Sequence, residues 1–223
     1  MARHAATRGH TVYQEQLDAL IAFASSDRFK DELLKAKAEY FAGTGEVFED
    51  DRSFEMRMAS FLDYHVFDRV LPEHSKTPAQ VFLLESGEIP QEALAVRRGL
   101  VETRHSLWEV RKLSKDLVRL RGLFDGKDVD VFERRQPTGL KKGDLIEARL
   151  IPVGGRYLFS SAFCFHPPEA KKPIAKELKR RRKEEPGFST RDFIWAASKM
   201  RLKWERYRNI AVTDIYAFDR KTI

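Results

Sequence analysis

The chain has 223 residues, 42% of them hydrophobic and 34% charged, with 16 phenylalanines and a net charge of +7. That length and apolar content suit a packed core and exclude wholesale disorder; the lone cysteine, Cys164, excludes an internal disulfide and is read as excluding a cysteine-based zinc site. Charge is placed unevenly: residues 1–94 hold 10 Lys/Arg against 17 Asp/Glu, and residues 95–223 hold 31 against 17, a polarity that points the second part toward polyanions or acidic partners.

Met1–His10 is basic and polar with no apolar segment, so it reads as a frayed tail and not as a secretory signal. No apolar run approaches the roughly 18 residues of a membrane span, and a reducing, cytoplasmic setting is expected. Residues 12–42 read as helix, interrupted at Ser25-Ser26-Asp27 and stopped by Gly43-Thr44-Gly45. An aromatic helix is expected over 52–70, apolar on two faces and therefore buried between neighbours. Thr77-Pro78 and Ile89-Pro90 open two further helices.

At Ser106 the period changes from helical to alternating. Strands are expected around Leu107–Val110, Leu117–Arg121, Val129–Val131, Leu145–Val153 and Tyr157–Phe165, with turns at Asp125-Gly126 and Gly154-Gly155. Short strands at this spacing predict a small antiparallel barrel or curled sheet. Pro167-Pro168 ends it. A charged helix follows to Glu185, then a helix over 191–209 with Phe193, Ala197, Met200 and Trp204 on one stripe, then an extended segment at Ile215–Phe218. The expected fold is α+β: a helical region at 1–105, a small β barrel or sheet at 106–166, and two basic C-terminal helices at 167–223 that pack back on the first region.

Phe61-Leu62-Asp63-Tyr64-His65, Thr77-Pro78 with Val81-Phe82-Leu83, Ser106-Leu107-Trp108-Glu109-Val110 and Leu140-Lys141-Lys142-Gly143-Asp144-Leu145 carry a resemblance. Residues 54–165 resemble uncharacterised bacterial proteins that often carry a cysteine-rich, metal-binding SEC-C motif. That motif is absent here. The resemblance therefore implies the helical-then-β order, with no metal and no activity.

The densest cationic feature is the helix around Lys172, Lys176, Lys179, Arg180, Arg182 and Lys183, where four lysines repeat at helical spacing into one stripe. Such a stripe displaces counterions from a phosphate backbone and binds in a salt-dependent way. Arg119 and Arg121 share a strand face, and Arg134 and Arg135 sit in the following loop; small barrels bind single strands on such faces. Trp195 and Leu202 fall outside the stripe of the last helix. With Tyr216 and Phe218 they are expected to contact a partner or a second copy of the chain. Enzyme signatures are poor: there is no His-Glu-x-x-His and no Gly-Lys-Ser/Thr phosphate loop. Asp144 and Glu147 give a remote reading as a metal-dependent hydrolase. The expected function is a non-enzymatic bacterial regulatory protein binding nucleic acid or an acidic protein, with an adaptor or homo-oligomer as the alternative. No catalytic residue, metal or cofactor is expected.

Overall fold

A computed structural model describes residues 2–132 and 139–218, with residues 2–10 as backbone. Five helices come first: α1 (Ala2–Ala24), α2 (Lys30–Thr44), α3 (Phe54–Asp63), α4 (Pro78–Leu84) and α5 (Gln91–Val101). The basic start expected to fray is the first part of α1. Local chemistry sets the helix ends. Thr77 Oγ1 accepts from the Gln80 amide, and Gln80 Oε1 from the Thr77 amide, a reciprocal cap. Gly45, at φ 94°, stops α2. The buried Arg57 guanidinium then donates to the Thr44 and Gly45 carbonyls and to Thr44 Oγ1, placing a cation at the negative end of α2.

After α3 the backbone widens into a π-turn over Tyr64–Asp68, closed by the Arg69 amide on the Tyr64 carbonyl. In an α-helix, residues five apart point about 140° away from each other. The wider turn instead brings Asp63 and Asp68 to one guanidinium, that of Arg149.

The strands are β1 (Arg104–Ser114), β2 (Leu117–Gly122), β3 (Asp128–Phe132), β4 (Leu145–Val153) and β5 (Arg156–His166). They close into a barrel in the order β1-β2-β3-β5-β4. Neighbours are antiparallel except β3 and β5, which meet in parallel at Val131 and Tyr157. The exception is geometric: a closed ring of five strands cannot alternate direction throughout, so one parallel seam is required. Trp108, Val110, Val118, Leu120, Val131, Ile146, Ala148 and Leu150 fill the interior, and Trp108 Nε1 donates to the Ala148 carbonyl at 2.9 Å.

Two helices, α6 (Lys171–Glu184) and α7 (Thr190–Arg206), and the short α8 (Val212–Ile215) cover the barrel. Their apolar residues Ile174, Leu178, Phe193, Ala197 and Met200 pack on Leu107 and Leu145, which point outward from β1 and β4. On another side Ile151 of β4 packs with Leu20, Val96 and Leu100 of α1 and α5. The cores therefore cross the three expected segments. The end of the chain differs from the extended segment expected: α8 turns Ile215 and Tyr216 inward.

Candidate functional site

The structure separates the expected cations into two kinds. Lys172, Lys176, Lys179 and Lys183 are exposed along α6, and none has a hydrogen-bond or ion-pair partner among the described residues. The arginines are engaged. Arg180 binds Glu177 at 2.7 Å and Glu184 at 2.7 Å. Arg182 donates to the backbone carbonyls of Leu123 and Phe124, tying α6 to the β2–β3 turn. On the outer face of β2, Arg119 pairs side-on with Asp130 and Arg121 with Asp128. Arg134 and Arg135 lie outside the described residues. Helix and sheet cations meet at Glu109, which binds Lys171 at 2.6 Å and stands in register with Arg121.

Beside that face, where β3 and β5 meet, runs an open groove of about 670 Å³. Half-buried Phe132 and Tyr157 line it. The Arg156 guanidinium lies 4.7 Å from the Phe132 ring, and that of Arg104 lies 5.9 Å from the Tyr157 ring.

Two of the four expected partner contacts, Leu202 and Tyr216, are inside the chain, which corrects the expectation for them; Trp195 and Phe218 are half-buried. Leu202 and Tyr216 are 3% and 1% exposed. Trp195 packs edge-on against Tyr40 and Tyr64 and over Gly43 of α2. Phe218 stacks on Phe193 at 5.2 Å. The physical reason is that α7 is sandwiched: one face meets the barrel, and the opposite face meets α2.

Sequence reasoning missed a polar layer buried between the barrel and its helices. Glu147 and Arg149 of β4, with Cys164 and His166 of β5, point away from the barrel interior, yet all four are buried. Arg149 faces Asp63 at 3.3 Å, hydrogen-bonds Asp68, and donates to Thr103 Oγ1 at 2.8 Å. Burial raises the Asp63 carboxyl toward protonation, against the pull of Arg149. Burial would also raise Glu147. His105 Nε2, 3.1 Å from its carboxylate, and the Ser198 hydroxyl reverse the direction and hold it low. Desolvation pushes the Cys164 thiol up to about 12, with Glu147's charge adding to it. Desolvation also drops His166 to about 4 and keeps its ring neutral.

Against this layer lies a small, partly open cavity of about 10 Å³, with Asp63, Asp68, His105, Glu147 and Arg149 in its lining. It has room for about one water, not for an organic substrate. The remote hydrolase pair is not assembled: Asp144 caps the Lys141 amide at 2.7 Å, while Glu147 lies under the helices. One signal for this layer stood in the sequence. Strand β4 carries apolar residues at both parities, Leu145 and Ile151 as well as Ile146 and Leu150, the mark of a strand covered on both faces.

No curated protein and no solved structure matches the chain. Residues 25–195, more than half of the chain, match the model of a family described as of unknown function, DUF7986, and the chain belongs to that family.

Proposed function

We propose that the protein is a non-enzymatic nucleic-acid-binding protein that holds the phosphate backbone on α6. The observation that carries this reading is the row of four exposed lysines, unpartnered among the described residues, on a helix whose arginines already have acceptors. An ammonium without a carboxylate partner is free to replace a counterion on a polyanion. The groove supports single strands as the ligand. Small five-stranded barrels bind them on the outer β2–β3 face and the β1–β2 and β4–β5 loops. Here Tyr157 supplies an aromatic surface with Arg104 beside it, in a groove that Asp116, Asp128 and Asp130 also line, the last two already paired with Arg121 and Arg119. Binding through phosphates gives little sequence preference, which suits a regulatory role in a bacterial cytoplasm.

The test is retention of labelled single-stranded DNA and RNA against salt. Log affinity should fall with log salt at a slope of roughly 3, from four phosphate contacts. Replacing Lys172, Lys176, Lys179 and Lys183 with Gln should flatten the slope toward zero. Retention with an unchanged slope in that variant removes the reading.

A further inference from the structure

We propose that Glu147, Cys164 and His166 form a zinc-binding site between the barrel and its helical cover. One donor atom from each of the three lies within 4.8 Å of the others, and all three residues are buried. The register explains the convergence. Glu147 and Cys164 are directly paired across β4 and β5. His166 lies two residues beyond Cys164 and so shares its face. Donors bound to one tetrahedral zinc stand roughly 3.5 Å apart, so the set closes on an ion by about an ångström.

A second observation points to a ligand. His166 Nε2 is fully buried and has no hydrogen-bond partner among the described residues, while Nδ1 lies 2.9 Å from the Tyr216 hydroxyl. An orphaned buried ring nitrogen is costly unless something takes its lone pair. Assigning the Nδ1 proton to the Tyr216 oxygen leaves the Nε2 lone pair to the site. The surroundings are those of an oriented metal centre: Tyr216 holds the imidazole, and His105 and Ser198 hold the carboxylate.

The donor chemistry selects the ion. Thiolate, imidazole and carboxylate together suit zinc, and oxygen-seeking magnesium and calcium do not use thiolate. On binding, Cys164 gives its thiol proton to solvent. The thiolate and the Glu147 carboxylate then balance the two charges of the ion, so the buried centre is neutral. Three protein donors leave the fourth tetrahedral position to a water, which enters with the ion. Because the site is closed, the ion enters as the chain folds.

The full chain should be unfolded in denaturant with a chelator, then refolded with and without zinc chloride. One zinc per chain should survive desalting, and the thermal midpoint should rise with it. Cobalt(II) in place of zinc should give an intense thiolate charge-transfer band. Cys164→Ala should abolish the band and lower zinc affinity by about 100-fold or more, and Glu147→Gln by at least about 10-fold. Replacing the four α6 lysines should leave zinc binding unchanged, which separates this site from polynucleotide binding. Refolded wild-type protein without stoichiometric zinc, or cobalt bound without the thiolate band, overturns the proposal without any variant.

Discussion

The outer face of β2–β3 and the outer face of β4–β5 are built on the same alternation and meet opposite fates. On the first, Arg119 and Arg121 stand opposite Asp130 and Asp128 in exposed side-on pairs. On the second, Glu147 and Arg149 stand beside Cys164 and His166 beneath α3, the π-turn and α7. A period of two tells which residues share a face and is silent about whether that face is wet. The consequence is energetic. An ion pair in water is screened and worth little, whereas a buried ion left without its partner is strongly destabilising.

The most severe way to test this contrast is Arg149→Met. Its side chain is 2% exposed, and the carboxylates of Asp63 and Asp68 face it. Removing the guanidinium strands Asp68 and is expected to cost about 3 kcal/mol in urea unfolding, the low end for a buried pair, because the Asp68 side chain keeps 28% of its surface exposed. Adding Asp63→Asn and Asp68→Asn to Arg149→Met should restore most of the loss, because the penalty comes from the orphaned charges. No recovery in the triple variant would show that packing, and not charge, dominates this face.

The cover itself is tested next. A Cβ at Gly43 would stand 2.2 Å from Trp195 Cε3, so Gly43→Ala forces α2 and α7 apart. Overpacking of this kind costs about 1–3 kcal/mol. Trp195→Leu in the same chain should recover part of it. An unchanged midpoint for Gly43→Ala would mean that the two helices do not hold each other so closely.

Much of the fold was legible because it follows local chemistry. The Thr77 cap before Pro78, the Gly45 stop and the alternation of β2 and β3 are written within a few residues of one another. The parallel β3–β5 seam was not legible, since it follows from ring closure and not from any segment. The buried layer was hidden for a different reason. Whether Glu147 and Arg149 meet water depends on α3 and α7, far away along the chain. Trp195 and Leu202 misled in the same way: outside the apolar stripe of their own helix, they pack against α2 and the glycine that ends it, Leu202 buried and Trp195 half-buried. Of α6, the sequence shows eight cations but not that Lys171, Arg180, Arg181 and Arg182 have acceptors while Lys172, Lys176, Lys179 and Lys183 have none among the described residues.

The smallest effects come from acid, and they separate the two faces by pH. His65, in the π-turn, is buried with Nε2 3.0 Å from the Ala24 carbonyl, and desolvation lowers its pKa from 6.5. The folded state therefore resists a proton that the unfolded chain accepts. Stability from this group is complete above pH 6.5 and is lost as the pH falls below it, at no more than about 1.4 kcal/mol per pH unit for one proton. Asp128 and Asp130 are lowered from 3.8, first by their hydrogen bonds to Arg121 and Arg119. Their contribution is complete above pH 3.8 and is lost only below it. Hydrogen exchange at pH 5.5 should thus show faster opening of α3 and the π-turn than at pH 7.5, with no pH-linked loosening of the β2–β3 hairpin. His65→Gln should reduce the difference without abolishing it, because buried His166 also stays neutral in the folded chain. Equal loosening of both regions at pH 5.5 would break the contrast, because it would place the acid-sensitive group outside the helical cover.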